Sequence, residues 1–240
     1  MSRSNTERIQ FSVIIPVLNE SPRIEKLLAS LRKQTSSFEA EIIVVDGGSE
    51  DDTLQRARAH CDHAVQSTRG RARQQNFGAN IAMGDTLVFL HADTTLPADA
   101  FHLISNALNP SRLWGRFDVT LDSHDARLRL VATMMNLRSR STGIATGDQC
   151  IFVRRRTFVA VGGFPDQALM EDIEISKRLK RVSSPACLRA KVCTSARRWE
   201  TQGIFRTIAV MWWLRFAYWL GVSPATLARW YGYGKSDASR

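Results

Sequence analysis

The turn after the first apolar run, Pro16-Val17-Leu18-Asn19-Glu20, contains no glycine. A dinucleotide-binding fold would carry its glycine-rich loop there, and a sugar nucleotidyltransferase a glycine-rich, basic one. A P-loop is absent from the whole chain. These absences argue against three common nucleotide folds. Cysteine is scarce as well. Cys61, Cys150, Cys187 and Cys193 match no zinc spacing, and reduced, mostly buried thiols in a cytosolic setting are expected. Residues 1–10 form a polar tail with no apolar stretch, so no secretory signal is expected. No run supplies the ~20 mostly apolar residues of a membrane span. The nearest approach, 204–220, is interrupted by Arg206 and Arg215. Zinc-finger, aromatic RNA-binding and basic-region signatures are lacking, which argues against nucleic acid as a partner. Internal repeats and low-complexity linkers are missing too.

What is present suits a globular chain: 44% apolar and 23% charged residues over 240 positions, enough for one domain with a full core. The formal net charge of +10 draws anions, whether nucleic acid, anionic lipid or phosphorylated small molecules. Basic residues cluster locally at 69–73, 154–156 and 197–198. Residues 11–16 are apolar without alternation, as in a strand covered on both faces, and 41–46 form a second buried strand. Ile24, Leu27, Leu28 and Leu31 recur at helical spacing. Further helices are predicted from 53 to about 60, over 72–83 and from Pro97 onward, with strands at 63–66 and 86–91. This β-α-β-α-β-α-β order predicts a parallel sheet with helices on both faces. The second half is less regular, with strands at 114–121 and 150–154, a helix at 126–138 and a loop at 143–147. In 204–220, Phe205, Ile208, Ala209, Trp212, Phe216 and Trp219 share one helical face. That face either packs on the core or a partner subunit, or lies at a membrane surface with arginines toward lipid phosphates.

Three acidic positions punctuate the pattern. Asp46 ends Ile42-Ile43-Val44-Val45, Asp93 follows Leu87-Val88-Phe89-Leu90-His91-Ala92, and Glu171-Asp172 opens the charged segment up to Arg181. Strand tips are where open α/β sheets bind ligands. Carboxylates there can hold a nucleotide, a hard cation and a proton to be removed. Each also has a plainer reading. Asp46-Gly47-Gly48-Ser49 could be a turn with a helix cap, and Asn19 and Glu20 could cap the first helix. Arg71 and Arg73 start a helix, where cations oppose the dipole; a nearby diphosphate would offset that, or they form a solvated face. Asp93 could bind Mg²⁺ or Mn²⁺ together with phosphate oxygens. Acids are favoured in a first helical turn anyway, so Glu171-Asp172 could be structural.

In this order and spacing, residues 11–20, Asp46-Gly47-Gly48-Ser49, 70–84, 87–93 and 162–172 resemble a family 2 glycosyltransferase of GT-A fold, over roughly residues 10–200. The resemblance implies an α/β architecture: a Rossmann-like, mostly parallel central sheet with helices on both faces. A donor half at about 11–110 and an acceptor half at about 111–200 would precede a C-terminal aromatic helical extension at 201–240. It implies that Pro16, Asn19 and Glu20 line the nucleotide pocket, that Asp46 contacts the base or ribose, and that Arg73 serves the diphosphate. His91-Ala92-Asp93 takes the place of the family's DxD. Asp93 would be the ligand of Mn²⁺ or Mg²⁺, and His91, replacing the first Asp, would face the metal or the ribose. Asp172, from the family's ED pair, would be the catalytic base. Gly115, Arg116, Gly147, Asp148, Gln149, Glu171, Arg198 and Trp199 would lie on the acceptor or diphosphate side. Gly147-Asp148-Gln149 and Arg197-Arg198-Trp199 resemble a small bacterial subfamily, some of whose members are assigned to arsenosugar biosynthesis. The match to the QxxRW motif of processive members is poor and their long membrane helices are missing, so transfer of a single sugar is expected.

The chemistry is consistent with this division. Inverting transfer needs a base facing the acceptor hydroxyl and a cation at the leaving diphosphate. The expectation is a metal-dependent inverting glycosyltransferase that takes a nucleoside-diphosphate sugar, a UDP-sugar first, to a small-molecule or lipid-linked hydroxyl. It would be cytoplasmic, with membrane-surface contact or dimerisation through 204–220. The competing reading is a non-catalytic nucleotide-sugar-binding or membrane-surface module on the same fold, which His91 in place of Asp favours.

Overall fold

The computed structural model describes residues 9–232. Residues 1–8 of the expected polar tail, and 233–240 of the expected extension, lie outside the described residues. The chain runs β1 (Phe11–Val17), α1 (Ser21–Thr35), β2 (Ala40–Asp46), α2 (Thr53–Arg58), β3 (His63–Gln66), α3 (Arg71–Ile81) and β4 (Thr86–Phe89). It continues through β5 (Thr94–Thr95), α4 (Ala100–Ala107), β6 (Trp114–Asp122), α5 (Ala126–Thr142), a 3₁₀ turn (Gly147–Gln149) and β7 (Ile151–Arg154). The remaining elements are α6 (Arg155–Ala160), α7 (Glu171–Lys180), β8 (Ala186–Ser195), α8 (Arg197–Gln202), α9 (Ile204–Trp219) and α10 (Pro224–Tyr231).

The eight strands among the described residues form one sheet in the order β3-β2-β1-β4-β7-β6-β8-β5. Strands β1 to β4 are mutually parallel where they pair, β7 runs antiparallel to both β4 and β6, and β6 and β8 are parallel again. The lack of alternation in β1 has a direct cause. Phe11, Val13, Ile15 and Val17 pack with Ile24, Leu27, Leu28 and Leu31 of α1. Ile14 packs on the other face with Ala72 and Ala79 of α3. Both faces are covered, so both sets of positions must be apolar. After β3 the chain returns to the far side of β1 to lay down β4, which makes the carboxyl ends of β1, β2 and β4 the ligand-binding edge expected of such sheets.

Several local expectations shift. Pro97 starts no helix, because α4 begins at Ala100. The helix at 126 continues to Thr142 and stops at Gly143, whose φ of 66° is a left-handed cap. Strand β8, the two-residue β5 and helices α6, α8 and α10 are not visible in sequence periodicity. In β8 buried and open positions mix without a period, and the strand exists through its pairing to β6 and β5. The aromatic face of α9 is the outer one, contrary to packing on the protein's own core. Leu214 and Ala217 pack with Met170, Ile173 and Leu227, while Phe205, Trp212, Phe216 and Trp219 are 51–77% exposed. The contact is made by the smaller aliphatic residues on the opposite side of the helix. No helix among the described residues is long and apolar enough to cross a membrane.

Candidate active site

The tips of β1 and β2 are tied together by polar side chains. The Asn19 N–H donates to Ser49 Oγ at 2.9 Å, and Asn19 Oδ1 accepts from the Glu50 N–H at 2.9 Å. The Glu20 N–H donates to Thr53 Oγ1 at 2.8 Å. Gln74, which the sequence reading does not single out, spans both strand ends: its Nε2 donates to Val17 O at 2.9 Å and Val45 O at 2.8 Å. Pro16 is half-buried in β1, opposite Val45. Asp46 sits at the β2 tip as expected, but its carboxylate is fully buried and occupied by its own turn. It accepts from the Gly48 and Ser49 N–H groups at 3.0 Å each and from Ser49 Oγ. Asp46 thereby shapes the loop that follows β2. The Glu20 carboxyl is pushed up by burial, with Arg197 opposing and Asp93 adding to the shift. Arg197 and Asp93 thus both act on Glu20.

The second group converges from β4, the 3₁₀ turn and α7. His91 Nδ1 lies 3.3 Å from Asp148 Oδ1. A Cβ on Gly147 would fall 2.4 Å from the His91 ring, so only glycine fits there. The Gly147 N–H donates to Asp172 Oδ2 at 3.1 Å, and the Ile173 N–H donates to Asp172 Oδ1 at 2.8 Å. One turn thereby links the His91-Ala92-Asp93 segment to the Glu171-Asp172 pair. Burial pushes the Asp148 carboxyl up, but the hydrogen bond from His91 and the charges of His91, Arg71 and Arg198 outweigh it and hold the group below its usual range. Met170, just before the pair, has a left-handed φ of 68°, and Cys150, just after the turn, one of 50°. Such backbone is uncommon for residues with side chains and is held by its surroundings.

Other expected site residues have different roles. Glu171 is buried and pairs with Arg71 at 3.3 Å, so it is corrected from the acceptor side to a buried partner of α3. Arg71 is the arginine that reaches Glu171; Arg73 pairs with Asp166 at 2.7 Å on the surface. Arg116 is 1% exposed and pairs with Asp118, which also binds Arg140 at 2.9 Å. Gly115 gives room to Ala186 O and the Phe152 ring. Gly115 and Arg116 are therefore interior residues, with no surface to offer an acceptor. Gln149 is fully buried in the capping box of its turn with Thr146, which corrects it likewise. Arg198 is exposed, with its guanidinium 4.9 Å from the Tyr231 ring centre. Trp199 packs with Leu121, Leu128 and Ala196 and lines a cleft of about 540 Å³ with Ser123 and Phe205, not the Asp172 cluster.

Asp93 is half-buried, and its carboxylate meets Thr94 Oγ1 at 3.3 Å. Among the described residues no group of three or more His, Cys, Asp or Glu could hold a metal ion by itself. The donor set suits a hard cation held by one carboxylate and completed by phosphate oxygens and water, the usual way Mg²⁺ is bound beside a nucleotide. The buried His91 Nε2, which has no hydrogen-bond partner, leaves one more polar atom close by.

Residues 12–159 match the family described as Glycosyl transferase family 2. The protein named "Uncharacterized glycosyltransferase YfnE" of Bacillus subtilis (strain 168) is 36% identical over 94 residues, covering 37% of this chain and 24% of that protein. The match thus spans about a quarter of that relative's length. The solved structure of S. aureus TarS 1-349 in complex with UDP-GlcNAc superimposes with a TM-score of 0.63 at 22% identity, covering 78% of this chain and 58% of that one. Mannosyltransferase PcManGT from Pyrobaculum calidifontis, in complex with GDP-Man and Mn²⁺, gives a TM-score of 0.61 at 21% identity, covering 88% and 62%. At such identities the likeness concerns the fold, and the expected GT-A arrangement is borne out.

Proposed function

The chain belongs to glycosyl transferase family 2, and from that premise we propose that it moves one sugar from a nucleoside-diphosphate sugar to an acceptor hydroxyl in an inverting, metal-assisted reaction. The observation that carries this is the link from the Asp93 segment to Asp172 through His91, Gly147 and Asp148. Asp172 takes the proton of the attacking hydroxyl, and its two backbone hydrogen bonds fix the carboxylate for that role. Asp93 would hold Mn²⁺ or Mg²⁺ against the donor's phosphates. Bound there, the cation would neutralise charge on the leaving diphosphate. Arg71 and Arg198 add positive charge around Asp148. A UDP-sugar is the first candidate donor. UDP-GlcNAc and GDP-Man in the structural relatives support a nucleotide-sugar donor in general. Residues 11–110 would handle the donor and 111–200 the acceptor, within one sheet. An arsenosugar-type product is a finer reading, supported only by the likeness of residues 147–149 and 197–199.

Asp93→Ala should abolish Mn²⁺-dependent nucleotide binding and transfer. Asp172→Asn should spare donor binding but lower turnover by ~10²–10⁴-fold, the range of a lost general base. Near wild-type turnover in the second variant would remove Asp172 from the role of base. Slow donor hydrolysis with Mn²⁺ by the unaltered protein separates an enzyme from a binding-only module.

A second reading concerns location. The outward Phe205, Trp212, Trp213, Phe216 and Trp219, joined by exposed Trp230 of α10, favour contact with an anionic membrane surface. That reading also accommodates a lipid-linked acceptor.

A further inference from the structure

Two arginines beside Asp172 have no role in the chemistry above. Arg138 lies on α5, next to buried Ser139 and two residues after buried Asn136. Asn136 Oδ1 accepts from Gln149 Nε2 at 3.4 Å, which sets this stretch of α5 against the 3₁₀ turn that holds Asp172. Arg215 follows Leu214 on α9, and Leu214 packs with Met170 and Ile173, the residues around Asp172. Among the described residues neither guanidinium makes an ion pair or hydrogen bond, and the Arg138 Nη2 atom is buried without a partner. Burial pushes Arg138 down to about 10, with Arg215 adding and Asp172 opposing. Arg215 is lowered by burial as well, with Asp172 and Asp148 opposing. A guanidinium keeps its charge at neutral pH. Two desolvated like charges without a bound counter-charge are costly.

We propose that Arg138 and Arg215 form an anion subsite on the acceptor side of Asp172, which receives a phosphate- or carboxylate-bearing acceptor. Guanidinium groups suit such groups because they offer paired donors in one plane. The position favours the acceptor over the donor's diphosphate: Arg138 and Arg215 come from α5 and α9, which pack against the 3₁₀ turn and the Met170–Ile173 stretch that hold the base Asp172. The assignment of the ligand as an acceptor rests on the glycosyltransferase reading.

The test is a thermal-shift titration with inorganic phosphate, alone and in the presence of saturating UDP or GDP with Mn²⁺. Phosphate should raise the midpoint by about 3–6 °C at roughly ten times its dissociation constant, with or without nucleotide. Arg138→Gln with Arg215→Gln should weaken phosphate at least tenfold, leave nucleotide protection intact, and keep or raise the midpoint without anion, since two unpaired charges are removed. If the double variant does not fold, Arg215→Gln alone carries the comparison. Equal phosphate protection of wild type and variant overturns the subsite. Loss of the phosphate response once nucleotide is bound overturns its assignment to the acceptor. Failure of every nucleotide to protect counts against the glycosyltransferase reading, while the phosphate arm still decides the arginine pair.

Discussion

In the first turn of α7, Glu171 points inward to Arg71 while Asp172 remains half-buried against the Gly147 N–H. Burial pushes the Glu171 carboxyl above its ordinary range, with Arg71 opposing and Asp172 adding. The folded protein then binds this proton more tightly than the unfolded chain does. Stability from this group is therefore greatest at low pH and is lost as pH rises from the unfolded carboxylate value, ~4.3, through the raised folded one. Glu171→Gln should be more stable than wild type at pH 7.5, with the gap closing by about pH 4, read from urea midpoints. A variant destabilised at pH 7.5 would show that the Arg71 ion pair outweighs burial. The sequence placed both acids in a first helical turn but did not distinguish the inward one. Helical spacing is local, whereas the partner of Glu171 lies on α3.

At the scale of elements, α3 carries both Arg71 and Gln74, and its seat on the sheet depends on Gly78. A Cβ at Gly78 would meet Ile14 Cγ2 at 2.6 Å and Val45 Cγ2 at 3.1 Å, and both side chains are fully buried. Alanine favours the helix by ~1 kcal/mol over glycine, but overpacking a closed core costs ~1–3 kcal/mol. With Ile14 unable to retreat, overpacking should win. Gly78→Ala should lower the urea midpoint and also weaken nucleotide binding, because Gln74 would be lifted from the ends of β1 and β2. An unchanged midpoint would mean that α3 slides without cost. Strands β1 and β2 were legible because burial on both faces leaves an unbroken apolar run. Strand β8 was not, because its mixed positions become a strand only against β6 and β5.

At the scale of the whole molecule, a net charge of +10 and an outward aromatic face on α9 act together. The protein should float with vesicles containing anionic phosphatidylglycerol and stay with the soluble fraction when only phosphatidylcholine is present. Trp212→Ser with Trp219→Ser should reduce flotation severalfold while shifting stability little, since both side chains are exposed. Undiminished flotation would remove α9 from the contact, and a wild-type dimer broken by the same pair would point to a second subunit instead. By itself, the sequence determined the α/β class, the parallel first half and the carboxylates at strand and helix ends. These follow from periodicity and from the order of segments along the chain. Only the tertiary structure decided that Asp46 clamps its own turn, that Gly115, Arg116 and Gln149 are interior, that α9 turns its aromatics outward, and that Arg138 and Arg215 lie beside Asp172. Burial and pairing belong to residues brought together from distant parts of the chain, and no local pattern encodes them.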